Sequence, residues 1–377
     1  MSTIDIVTGA QYGSEGKGHV TAQLINRYKN NGRTTNIRVA GPNAGHTVLD
    51  RNGNPFPLRT VPVAAALNDD ADLYIAPGSE IDLDVLVHEV NTLREAGHAV
   101  RNLYVSAEAT LLTEAHKQEE QKRLLSDKVG STAKGIGAAR ASRIMRDAQR
   151  IADNWEARTI IFGLKAQLFG ADESLLYMAN QLKQPDRHII IEGTQGYGLS
   201  LHAGRYPQTT SSDARAIDFL AMAGVSPWAP GVTRVTPWLT ARVYPIRVAG
   251  NSGPLQGETS WEELGLPEEK TTVTHKTRRV GQWDRKLMRE AALANGTVAH
   301  QYTVTGDEPV PAGRVALTMV DQKIPELYGV TDLDQVDSDV FDQLLDLIED
   351  VENNAGTPVG LITTSPDTVI WSQQWTS

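Results

Sequence analysis

Cysteine is missing altogether, which excludes disulfides, thiolate catalysis and zinc-thiolate sites together. No apolar run approaches membrane-spanning length, and the chain enters its first apolar segment, Ile4 to Thr8, too early to leave room for a signal peptide. Positive charge is in deficit: 36 Lys and Arg face 46 Asp and Glu, and the resulting charge of -10 repels nucleic acid and anionic membrane. Any phosphate must therefore be gripped locally. Internal repeats, low-complexity tracts and linkers are also absent between Gly9 and Trp371. These absences point to a soluble cytoplasmic protein with residues 1–377 forming one domain.

What is present is glycine, placed after short apolar runs. Gly9 to Gly18 reads GAQYGSEGKG directly after Ile4 to Thr8, and a helical pattern follows to about Asn31, with Val20, Leu24, Ile25 and Tyr28 on one face. Glycines at a strand end, a lysine (Lys17) and a helix N-terminus together suit a phosphate cradle, although Gly13 to Gly18 lacks the G-x-x-x-x-G-K-[ST] spacing of a P-loop. The arrangement recurs. Asn36 to Ala40 runs into the loop Gly41 to Thr47 (GPNAGHT), and Ile189 to Ile191 runs into Glu192 to Gly196. Strand signals at Leu73 to Ala76, Leu103 to Ser106, Val315 to Met319 and Val359 to Thr363 alternate with helical ones at Asp82 to Ala96, Asp213 to Ala223, Asp284 to Ala294 and Val340 to Val351. The expected fold is α/β, a large and mostly parallel central sheet flanked by helices, with loop and small subdomain excursions. Asp127 to Ala139 (DKVGSTAKGIGAA) reads as a polar loop before a basic helix carrying Arg140, Arg143, Arg146 and Arg150. Residues 226 to 238, rich in Pro and Trp, read as a loop, and Lys270 to Arg279 (KTTVTHKTRR) suits an anion.

Taken in order, GAQYGSEGKG, PNAGHT, GSTAKGIG, IEGTQG, YPQTTSS, VTHKTRR, LTMVD and ITTSPD resemble the adenylosuccinate synthetase family from residue 4 to about 371. The resemblance implies ligation of aspartate to C6 of a purine monophosphate, driven by a nucleoside triphosphate through a 6-phosphoryl intermediate with Mg²⁺. It places the triphosphate on Gly13, Glu15, Gly16, Lys17, Gly18, Gly45, His46, Thr47, Arg278, Asp321, Thr364 and Pro366. Lys17, His46 and Gln195 take catalytic roles, His46 as acid and hydrogen-bond donor at O6. The monophosphate falls to Asn43, Thr132, Arg146, Gln195, Thr210 and Val248, with Arg146 reaching into the neighbouring subunit of a homodimer. Aspartate falls to Thr274, Lys276 and Arg278, and the metal to position 14 and the carbonyl of Gly45.

The family's loop ordinarily reads G-D-E-G-K-G, and its aspartate takes the N1 proton and binds magnesium. Here the residue is Ser14, whose neutral hydroxyl is no general base by itself. Shortening the side chain opens space beside N1 and C2, where guanine carries an amino group, and the hydroxyl can accept a hydrogen bond from it. The substitution resembles the bacteriophage branch of the family, which converts dGMP on the route to 2-aminoadenine deoxynucleotides and would act in the host cytoplasm. Ser14 thus joins the catalytic and dGMP-binding sets. Lys276 replaces an arginine and Thr318-Met319-Val320-Asp321 lacks the lysine of the family's guanine-reading T-K-x-D, so the donor expected is ATP or dATP. Two other readings remain: an ordinary synthetase using IMP and GTP, and a non-catalytic nucleotide-binding homologue.

Overall fold

The computed structural model describes residues 2–270, 276–298 and 313–375. Ten strands make the central sheet: β1 (Ser2–Gly9), β2 (Arg33–Arg38), β3 (Asp72–Ile75), β4 (Leu103–Ser106), β5 (Gln167–Phe169), β6 (Arg187–Glu192), β7 (Val232–Arg242), β8 (Arg314–Thr318), β9 (Val359–Thr363) and β10 (Val369–Trp371). Their order is β10-β9-β8-β7-β1-β6-β2-β3-β4-β5, and every neighbouring pair is parallel except β9 with β10. This is the mostly parallel α/β sheet that the strand and helix alternation predicts.

Both faces are covered. Ile4 and Ile6 of β1, with Ile189 and Ile191 of β6, enter one apolar cluster, whereas Val7 and Ile190 enter the other. A strand buried on both sides needs apolar residues without alternation, which is why Ile189 to Ile191 is continuous. Helices α1 (Lys17–Tyr28) and α2 (Leu83–Glu95) pack on one face through Leu24, Ile25, Leu86 and Leu93. Helices α3 (Ala171–Lys183) and α4 (Ala216–Ala223) cover the other through Met178, Leu182, Phe219 and Leu220. Asp82 starts α2 by accepting from the amides of Asp84 and Val85, as a helix N-cap should.

Three expectations are corrected. The basic helix spans Ile136–Met145 only; Arg146 is its left-handed C-cap (φ 67°), and Arg150 lies beyond it. Its arginines are also paired, Arg140 with Glu80 and both Arg143 and Arg150 with Glu108. The Pro- and Trp-rich stretch contributes most of β7, the neighbour of β1; Pro237 is tolerated because pairing to β8 starts only at Trp238. His46 is the first residue of a hairpin strand, His46–Leu49 paired with Pro55–Leu58, and not a loop residue.

Candidate active site

The glycine-bearing segments Gly9 to Gly18, Gly41 to Thr47 and Glu192 to Gly196 emerge at the carboxyl ends of parallel strands, where open α/β sheets place their ligands, whereas Asp127 to Ala139 joins two helices. β1 ends at Gly9, β2 at Arg38, β6 at Glu192, β7 at Arg242, β8 at Thr318 and β9 at Thr363.

The loop after β1 is organised around Glu15. Its fully buried carboxylate accepts from the amides of Gln11 (3.2 Å) and Gly13 (2.8 Å) and from Lys17 Nζ (2.5 Å). Burying a carboxylate is costly unless donors such as these satisfy its lone pairs. The Gly13 amide and Lys17, both expected on phosphate, are therefore bonded to Glu15. The carboxylate also explains Gly196, where a Cβ would lie 2.4 Å from Glu15 Oε1. Gly16, left-handed at φ 84°, opens α1, whose first turn has neither a side-chain cap nor an acidic residue. Its N-terminal amides remain available to an anion. Gly18 serves packing: a Cβ there would sit 2.6 Å from His46 Cβ.

His46 is buried against α1 and held by a pair absent from the sequence-based site, Arg38 and Glu192. Arg38 Nη1 donates to His46 Nδ1 (2.7 Å) and to Glu192 Oε2 (2.9 Å), and Glu192 Oε1 accepts from the Val63 amide (2.8 Å). Sheet register brings the pair together, since Glu192 of β6 lies opposite Arg38 of β2. Burial and then the Arg38 charge lower the His46 pKa to about 4, so the ring is neutral near pH 7. A guanidinium only donates, so Nδ1 is the acceptor and the ring proton sits on Nε2. Glu192 is held below the usual carboxylate range: burial works to raise it, but the charge of Arg38 and the contact with His46 prevail.

Ser14 lies exposed on the rim, left-handed at φ 58°, and its Oγ accepts from Arg278 Nη1 at 2.7 Å. The structure thus joins two candidate site residues that are far apart in sequence. Gln195, also left-handed (φ 62°), brings its side chain near Gly13. Asn43 and Thr210 are partly buried, while Gly45, Thr47, Thr132 and Arg146 are exposed. The partly buried Val248 offers its carbonyl to Ser252 Oγ (2.5 Å). Thr364 is buried, its hydroxyl bound to the Val330 carbonyl (2.8 Å), so its side chain braces the loop instead of facing a ligand, and Pro366 is exposed. Asp321 is partly buried in the turn after β8, and burial raises its pKa. Lys276 is exposed; Thr274 lies outside the described residues.

Among the described residues no group of three or more His, Asp or Glu side chains could hold a metal by itself. That fits an ion carried largely by substrate phosphates, as magnesium usually is. The exposed Gly45 suits such a site. Ser14 Oγ keeps a second lone pair beside the one that Arg278 occupies.

The adenylosuccinate synthetase family model matches residues 6–175 and 167–298. The chain belongs to the adenylosuccinate synthetase family. The adenylosuccinate synthetase of Pyrococcus horikoshii is 33% identical over 368 residues, 96% of each chain, and that of Methanococcus aeolicus 32% over 370 residues, 97% of each. Among solved structures, the succinoaminodeoxyadenylate synthetase of cyanophage S-2L, bound to dGMP and to dATP as an energy donor, superposes with a TM-score of 0.76 at 25% identity, covering 98% of this chain and 95% of that one. The fully ligated adenylosuccinate synthetase of Plasmodium falciparum shares the fold (TM-score 0.75, 19% identity, 97% and 99% coverage). This family membership makes the protein a C–N ligase of purine nucleotide biosynthesis.

Proposed function

We propose that this ligase joins L-aspartate to C6 of dGMP at the expense of ATP or dATP, giving N6-succino-2-amino-2'-deoxyadenylate for 2-aminoadenine DNA. The observation that carries the reading is Ser14, which stands uncharged at the rim where the family has aspartate. Arg278 occupies one lone pair of its hydroxyl, leaving the other and the O–H to face a purine edge. A carboxylate at position 14 would crowd the 2-amino group of guanine and pair with Arg278. The dGMP and dATP of the cyanophage relative support the same substrates.

The uncapped amides of α1 take the γ-phosphate, and Lys17, released from Glu15, follows the charge. Neutral His46 donates from Nε2–H to O6 as negative charge collects there, with Arg38 and Glu192 fixing its ring; Gln195 assists from across the Gly13 turn. Loss of the N1 proton to solvent puts negative charge on O6, which attacks the γ-phosphorus, and the nucleoside diphosphate leaves. The aspartate amine, its carboxylates held by Arg278, Lys276 and Thr274, then displaces phosphate from C6. Magnesium, held by the Gly45 carbonyl and by Ser14 once Arg278 turns to aspartate, would neutralise charge on the phosphates. Asn43, Thr132, Thr210 and Val248 bind the monophosphate, while Asp321 and Pro366 meet the donor's base.

A homodimer completes the site. Ile144 and Met145, 72% and 71% exposed, immediately precede Arg146, and an apolar step beside a cation suits burial against a second copy.

Aspartate-dependent phosphate release with Mg²⁺ and ATP or dATP, compared for dGMP and IMP, tests the reading. Turnover of IMP without dGMP would establish the ordinary synthetase, the reading that the 31–33% identical archaeal relatives favour. Turnover of neither would leave a nucleotide-binding homologue.

A further inference from the structure

Arg242, the last residue of β7, has a wholly buried side chain that no substrate role in the family reading employs. Its guanidinium grips Glu269 with both ends, Nη1 to Oε2 at 3.0 Å and Nη2 to Oε1 at 2.5 Å, and Nη2 also reaches Gln322 Oε1 at 3.3 Å. Its main chain is clamped to the glycine loop: Gln11 Oε1 accepts from the Arg242 amide (3.1 Å) and Gln11 Nε2 donates to its carbonyl (3.0 Å).

Glu269 in turn holds Arg278 through the backbone. Its carbonyl accepts from the Arg278 amide at 2.8 Å, while the Arg278 carbonyl accepts from Trp261 Nε1 at 2.8 Å. An antiparallel bridge between Lys270 and Thr277 closes the neck just beyond. Arg278 then reaches Ser14 Oγ, so the contacts run from Gln11 through Arg242, Glu269 and Arg278 back to the same loop. A two-pronged pair between planar groups fixes direction as well as distance. With its amide and carbonyl both anchored, Arg278 has its backbone position set by Glu269 and, behind it, Arg242.

We propose that Glu269, held by Arg242, is a positioning residue for aspartate recognition: it sets where the Arg278 guanidinium stands against Ser14. The inference rests on the reading of the protein as an aspartate ligase. Glu269 touches no substrate itself. It acts through Arg278, and the closed circuit couples the amino-acid site to the phosphate loop.

Steady-state kinetics on the full chain test it. Glu269→Gln should raise the KM for aspartate roughly ten- to a hundredfold, the scale of a lost charge-assisted hydrogen bond, with the KM for dGMP and ATP changed less than about twofold. Glu269→Asp should recover most of the loss. In an Arg278→Ala background, Glu269→Gln should add nothing, because both changes remove one interaction. An unchanged aspartate KM, an equal rise in all three KM values, or additivity of the two substitutions overturns the proposal. Should Glu269→Gln fold poorly, Arg242→Lys, which keeps the charge but loses the fork, should raise the aspartate KM in the same selective way. Should the unmodified chain turn over neither dGMP nor IMP, the ligase reading itself has failed. The positioning is then judged by hydrogen exchange at the Arg278 amide, which Glu269→Gln should accelerate at least about tenfold through local opening; unchanged exchange overturns it.

Discussion

The two sides of the active site are built differently. On the His46 side every group is buried and already partnered: Glu15 with Lys17, Arg38 with Glu192 and the imidazole. On the Ser14 side Ser14 is exposed and Arg278 only partly buried, and the described contact between the two recognition residues is one hydrogen bond, Arg278 to Ser14. On the proposed function, the difference separates chemistry from choice. Groups that stabilise developing charge must be oriented before the substrate arrives, and a low-dielectric setting strengthens them. Groups that select a purine and an amino acid can change without disturbing the fold, so a Ser-for-Asp exchange is tolerated on the rim and not in the buried network.

The largest break in this contrast should come from His46→Asn, which is expected to lower kcat by roughly a thousandfold, within the span of general acid catalysis, while dGMP affinity measured by calorimetry stays within about threefold. A loss under about tenfold would move the chemistry elsewhere. Ser14→Asp should lower kcat/KM for dGMP about a hundredfold and favour IMP, with an unchanged melting temperature, because the side chain is exposed; unchanged dGMP kinetics would show that position 14 does not select the base. Arg146→Ala should weaken dGMP use by about tenfold, and mixing it with Lys17→Ala should restore activity above either alone if sites are shared between subunits. Pure additivity in the mixture would argue for self-contained sites.

The smallest effect concerns pH. The unfolded chain protonates a histidine near its ordinary value of about 6.5, whereas folded His46 resists protonation down to about 4. The unfolded state therefore binds the proton first, and stability falls as pH drops below 6.5 towards 4. Between pH 7.5 and 5.5 the contribution is about 1 kcal/mol, read as the difference in urea midpoints between the unmodified protein and His46→Asn.

Periodicity and strand-end glycines were enough to read seven of the ten sheet strands, helices α1, α2 and α4 and the segments that surround the site, but not the short strands β5 and β10 or helix α3. They could not read β7, because Pro and Trp mask its pattern, or the helix stop at Arg146, which depends on one left-handed residue. Arg38 and Glu192 were missed because they stand 154 residues apart and meet only through the register of β2 with β6. A signal was nevertheless available: each is a charge ending an otherwise buried strand, and such a charge requires a partner. The commitment of Lys17 to Glu15 was equally invisible, since a residue two places away in sequence gives no hint that its carboxylate folds back onto the lysine.

The left-handed backbone at Ser14 bears on how such a loop could change hands in evolution. No single base substitution converts a serine codon into an aspartate codon, but from the serine codons AGU and AGC there are two two-step routes, one through asparagine and one through glycine. Those two, with aspartate, are the residues that occupy positive φ most readily. Each intermediate would therefore keep the loop's shape while carrying neither the hydroxyl nor the acid. A lineage could cross between the two loop chemistries through folded proteins, with only substrate choice exposed to selection on the way.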